Sequence, residues 1–228
     1  MAGNYYFVSA LPSLGDLGSA PPMTVAELRQ HVSGSRRALA MVDAILLGSD
    51  LLERESFLAG ETQDVAPAVL TPAQVRNEEP LPAHLATDDE PAGRGMASDA
   101  VWAAYFHWAA KTAAATGSAF LAGWVGHEVA LRNALVTARA KALDLDPADY
   151  VVTPELAEAD DDLAPLVAEW AAAASPLEGL RILDRGRREW LAGHEAWFSF
   201  ADEELAAYAA KLMLVIRWHR LAHAHENT

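Results

Sequence analysis

Downstream of Ser98 the chain reads as one helix after another, and the breaks between them are residues that end helices. Val101, Trp102, Tyr105 and Trp108 fall on one side of a helix predicted over 98 to 115. Gly117 interrupts it, and a second helix is predicted over 118 to 143, ending before Pro147. A helix over 160 to 173 starts in Asp160-Asp161-Asp162, acids that suit the positive end of a helix dipole. Pro176 opens a helix to about 193, and Asp202 with Glu203 and Glu204 opens the last, to about 223. Upstream, Thr24 with Glu27 three residues on is a capping box for a helix over 24 to 33. Ser35 starts another over 36 to 59, with Leu39, Val42, Leu46, Leu47, Leu51 and Leu52 near helical spacing.

The one β-prone stretch, YYFVSAL at 5 to 11, has no second strand to pair with, so an extended segment packed on helices is expected there. The predicted class is therefore all-α. It is a single helical domain over 1–228, with about six to seven helices and a short extended N-terminal segment. No internal repeat is visible. Residues 60 to 97 interrupt the pattern with Pro67, Pro72, Pro80, Pro82 and Pro91, acids at 88 to 90, and glycines at 93 and 95. Thr71 is placed to cap one short turn of helix, and the rest is expected to be a long, mobile loop.

Composition narrows the function classes. A 52% hydrophobic chain of 228 residues can bury a sizeable core. A formal net charge of −15 repels phosphate backbones and anionic lipid, so neither nucleic acid nor a membrane surface is an expected partner. A basic protein partner is favoured electrostatically. The absence of cysteine excludes disulfides, thiolate nucleophiles and Cys-based zinc sites, and fits a cytosolic protein. The N-terminal stretch lacks the basic and apolar regions of a signal peptide. No run approaches the ~18 apolar residues of a membrane span. The most apolar helix, around AAYAAKLMLVIRW, carries Lys211 and Arg217 and reads as a buried helix.

The densest polar cluster is HEVALRN, residues 127 to 133. Projected at ~100° per residue, Phe120, Leu121, Trp124, Leu131 and Leu135 make an apolar arc, and Glu128 falls inside it. Arg132 lies at the edge of the arc, four residues on, and Arg139 lies two turns further. His127 sits on the other margin and Asn133 on another side. A carboxylate within an apolar arc must be paired or neutral. Arg132 or Arg139 is its natural partner on this helix. Arg181, Arg185, Arg187 and Arg188, in RILDRGRREWLAGHEAWF, are alternatives, and that run is equally readable as a solvated face or a basic patch. Glu128, Arg132, Asn133, Arg139, Arg188 and Arg217 form the candidate structural polar network. The competing reading puts Glu128 and Arg132 in a pocket that binds a small molecule or catalyses a reaction.

No catalytic, cofactor-binding or metal residue is assigned, and no cofactor is expected. HEVAL lacks the second histidine of the zinc-protease motif, because position 131 is leucine. His219 and His223 have i,i+4 spacing, with His225 close by, but no third ligand is evident. Asp160 to Asp162 lack the spacing of a prenyl-diphosphate magnesium site. No phosphate loop, nucleophile elbow or dinucleotide fingerprint is present.

Three stretches carry a family resemblance: NYYFVSALPSLGDLGSAPPMT, then WVGHEVALRNALVTARAKALDLDPADYVV over 124 to 152, then RREW with FSFADEELAAYAAKLMLVIRW. Together they resemble the bacterial family catalogued as domain of unknown function 2764. Its genes commonly lie among those of V/A-type ATPases. The Leu131-Arg132-Asn133 helix is also similar to the helical repeats of that enzyme's all-helical funnel component, which joins the rotating stalk to the membrane ring. The resemblance implies a non-catalytic cytoplasmic component of a V-type ATPase, structural or coupling, with stalk or ring subunits as partners. A transient assembly factor is the alternative within the same setting.

Overall fold

The computed structural model describes residues 7–86, 97–159, 162–195 and 201–226. In chain order its α-helices are α1 (Val25–Val32), α2 (Arg36–Leu58), α3 (Pro72–Val75), α4 (Ala97–Thr116), α5 (Ala119–Ala142), α6 (Ala164–Ala171), α7 (Pro176–His194) and α8 (Asp202–Glu226). Short 3₁₀ turns occupy Pro147–Asp149 and Pro154–Leu156. No strand occurs among the described residues, and the fold is all-α. None of the described helices is long and apolar enough to cross a membrane.

Local chemistry sets the helix boundaries. The Thr24 hydroxyl accepts from Glu27 N at 3.2 Å while the Glu27 carboxylate accepts from Thr24 N at 2.7 Å, which closes the expected capping box. Thr71 and Gln74 repeat this device on α3. α6 starts later than the acid run suggests: Asp162 accepts from Ala164 N at 3.3 Å, and Asp160 and Asp161 lie outside the described residues. At the N-terminus, residues 7 to 9 form one turn of helix where extended chain is expected; residues 5 and 6 lie outside the described residues. A lone strand would leave its backbone groups without partners, whereas the turn lets Leu11 N donate to Val8 O at 3.2 Å.

The chain forms two compact units, one of Met1–Arg76 with Trp190–Thr228 and one of Asn77–Glu189. In the first, α2 packs along α8, with α1 against both. Leu28, Met41, Ile45, Leu47, Leu205 and Leu212 are fully buried there. Each such side chain stabilises the fold by about 1.5–3 kcal/mol.

The Pro-rich stretch after α2 is anchored as far as residue 76. Asp50, only 3% exposed, accepts from the backbone N–H groups of Ala68, Val69 and Leu70 at 2.8, 2.7 and 2.8 Å. Arg29 pairs in two-pronged fashion with Asp43 and also donates to Ala68 O at 2.5 Å. Arg54 donates to Gln74 O at 2.7 Å, at the end of α3. Leu70 and Val75 are buried as a result. Residues 87 to 96 of the expected loop lie outside the described residues.

In the second unit α4 and α5 form a hairpin with almost no loop. Gly117, at φ +61°, ends α4, and Ser118 N donates back to Ala113 O at 3.0 Å. The Ser118 hydroxyl then accepts from Leu121 N at 3.0 Å and opens α5. Trp102, Tyr105 and Phe106 of α4 are buried, as are Phe120, Leu121, Trp124 and Leu131 of α5. α6 lies against two glycines of α7. A Cβ on Gly179 would stand 3.1 Å from Trp170, and one on Gly186 would stand 2.6 Å from Leu166.

Two outcomes follow for the first unit. Asp50→Ala leaves three backbone donors without their acceptor, so stability should fall by about 3 kcal/mol. Hydrogen exchange at Ala68, Val69 and Leu70 should rise at the same time; unchanged protection there would remove Asp50 as the anchor. Tyr208 donates to Pro12 O at 2.9 Å, and burial pushes its phenol up to about 12. A raised native pKa means that the stabilisation is complete below the ordinary tyrosine pKa of ~10 and is lost as pH rises toward 12. Ultraviolet titration should show a late ionisation step near pH 12 that Tyr208→Phe removes.

Candidate functional site

The second unit collects the polar residues singled out on α5. Glu128 is 21% exposed and both of its oxygens face Arg187, on the part of α7 that belongs to this unit. Arg187 Nε donates to Oε1 at 2.7 Å and Nη2 donates to Oε2 at 3.0 Å. The remaining edge of the guanidinium donates through Nη1 to Asp184 at 2.9 Å. Asp184 is 0% exposed and Arg187 13%. Burial alone would lower the Arg187 pKa, but the Glu128 and Asp184 carboxylates override it and hold the group above its ordinary value. Tyr105, buried near the same charge, has its phenol pushed up by burial and then by Glu128.

The partner of Glu128 is therefore Arg187, and neither Arg132 nor Arg139. A neighbouring helix can present a guanidinium edge-on to both carboxylate oxygens, giving a two-pronged bond. The Arg132 guanidinium lies 4.7 Å over the ring of Trp102 and donates to Asp99 at 3.1 Å. Arg132 thus docks α5 on α4 by stacking and charge together. Arg139 reaches the α6 side instead, 5.0 Å over the ring of Trp170.

Asn133 holds an irregular segment. Its amide donates to Val152 O at 2.8 Å and accepts from Val152 N at 2.8 Å, so both backbone groups of one residue are satisfied. Two turns earlier, Gly126 O accepts from Glu158 N at 3.1 Å. The chain passes so close that a Cβ at Gly126 would sit 3.3 Å from that nitrogen and from Leu156 O. Between these two clamps Thr153 is buried at φ 42°, a left-handed conformation that is costly for a β-branched residue. The clamps on either side hold the strain in place.

The other candidates are dispersed. His127 is buried on α5, its ring 6.3 Å from that of Trp124. Arg188 is half-buried on α7, and Arg217 is half-buried on α8 in the other unit. His219 and His223 meet edge to face at 4.3 Å, and the side chain of His225 lies outside the described residues. Among the described residues no group of three or more His, Cys, Asp or Glu is arranged to hold a metal ion.

Arg187 is one of four α7 arginines that the sequence offers as alternative partners for Glu128, and a further signal picks it out; Asp184, the second acceptor for Arg187, was not singled out. Arg187 is four residues from both Leu183 and Leu191, so it belongs to the buried stripe of α7. Asp50 carries a comparable mark, four residues after Leu46 and three after Leu47 on the buried face of α2, and Asp99 lies three residues before buried Trp102. Chemically, the seam is a set of charge-saturated clamps. The guanidinium keeps its proton at every working pH, and its donors are directed at two carboxylates.

Family models, curated proteins and solved structures offer no match to this chain.

Glu128→Ala should lower stability by about 3 kcal/mol, because it removes one partner of a buried arginine while Asp184 remains. Chemical denaturation checks this, and an unchanged midpoint would contradict it.

Proposed function

We propose that this chain is a non-catalytic structural or coupling component of a bacterial V-type ATPase, acting on the cytoplasmic side of the membrane. The reading rests on the resemblance of the N-terminal, central and C-terminal stretches to a family whose genes accompany that enzyme. One observation of the structure supports it more than any other. The polar groups of α5 with the strongest pull on a ligand are engaged in docking helices and a strap to one another. Glu128 faces Arg187, Arg132 faces Asp99 and Trp102, and Asn133 faces Val152. The small-molecule reading needs Glu128 and Arg132 directed together at a ligand, and the two are turned to different helices.

A part that transmits force or holds an assembly needs stiff internal joints. Two-pronged charged contacts supply directionality that apolar packing lacks. The partners under this reading are stalk or ring subunits, met by helix faces and turns.

Affinity purification of the tagged chain from its native host should recover ATPase stalk or ring subunits, and deletion should impair ATPase assembly or ion-coupled activity. Recovery of the protein alone, with assembly and activity unchanged on deletion, would overturn the proposal.

A further inference from the structure

The end of α5 presents the most exposed large apolar residue of the described chain. Leu143 is 69% exposed and Leu145, two residues on, is 44% exposed. The turn that carries them is firmly built. Leu145 N donates to Ala140 O at 2.9 Å and Asp144 N donates to Lys141 O at 3.3 Å, the two bonds of a Schellman motif. Asp144 takes the left-handed position at φ 56°. Asp146 then accepts from Ala148 N at 3.0 Å and opens the Pro147–Asp149 turn. In such motifs the residue in Leu145's place usually covers an apolar side chain three positions from the helix end. Here that position is Ala140, which is too small to cover a leucine.

Two leucines are thus held outward on a rigid frame. Asp144 and Asp146 beside them are both exposed. From Ala140 to Tyr150 the sequence has three aspartates and one cation, Lys141. We propose that the turn from Leu143 to Asp149 is a docking surface for a cationic, amphipathic segment of a partner protein. Charge selects this occupant. A second copy would bring a further formal charge of −15 against an acidic patch. A membrane with anionic headgroups is repelled for the same reason. A basic segment is drawn in by the aspartates and covers the leucines with its own apolar side chains. The surface is defined by the turn itself and holds independently of the ATPase reading.

The test uses the full chain and three labelled helical peptides: leucine with lysine, serine with lysine at equal charge, and leucine with glutamate. Binding is read by fluorescence anisotropy, and the footprint by NMR shift changes. The leucine–lysine peptide should bind with shifts centred on Leu143 to Asp149. The double substitution Leu143→Ser with Leu145→Ser should weaken it about tenfold. Asp144→Asn with Asp146→Asn keeps both turn roles and should flatten the salt dependence. Thermal melts that match the parent chain establish that both variants are folded. A footprint elsewhere, equal binding of the serine–lysine or leucine–glutamate peptide, or indifference to both double variants would overturn the proposal. So would a dimer in sedimentation that the leucine substitutions dissociate, since a second copy would then be the occupant.

Discussion

A buried guanidinium held between two carboxylates is the constraint around which the Asn77–Glu189 unit is organised. Removing an arginine from water is costly, and so is removing Asp184, which has no exposed side-chain surface. Neither group is tolerable there without the other, and Glu128 completes the set across 59 residues of sequence. Apolar packing alone would let α7 slide or rotate on its neighbours at little cost. A two-pronged bond from Arg187 to Glu128 is strongly directional. The close fit of Trp170 and Leu166 over Gly179 and Gly186 requires α7 to be in one rotational setting, so charge and shape specify the same arrangement.

Both units solve a second problem in the same way. An all-helical protein still contains connecting chain whose backbone groups need partners, and no sheet is present among the described residues to supply them. Here helix side chains do so. Asp50 takes three consecutive N–H groups, Arg29 and Arg54 take carbonyls, and Asn133 takes both groups of Val152. Gly126 contributes its own carbonyl because it lacks the Cβ that would keep the strap away. Irregular segments held this way can behave as rigidly as the helices they cross.

What was legible in the sequence follows from range. Caps and breakers are local, so Thr24, Ser35, Thr71, Asp202 and the break at Gly117 marked helix starts that the structure places within a residue or two. The apolar arc of α5 was legible from periodicity, and with it the need of Glu128 for a positive partner. The partner was legible only as one of six arginines, Arg187 among them. A helix projection describes one helix at a time and ranks Arg132 and Arg139 because they share it, whereas the chosen arginine belongs to another helix. The same limit applies to Asp50. Residues 60 to 76 look loop-like by composition, and only the three-dimensional meeting with α2 shows them to be fastened. The turn at residues 7 to 9 departs from β propensity because such propensity expresses cross-strand packing, and the described residues contain no strand to pair with.

The joint at Gly117 and Ser118 sets an evolutionary boundary condition. Ser118 both closes α4 and opens α5, so the hairpin contains no residue whose sole task is to connect. Adding or deleting one residue would turn one helix by ~100° against the other. Trp102 would then swing away from Arg132 and Tyr105 away from the buried charges. Length variation among descendants of this chain should accumulate in the segments fastened by side chains and be nearly absent here. The hairpin should pass down as a fixed cassette while its surroundings drift.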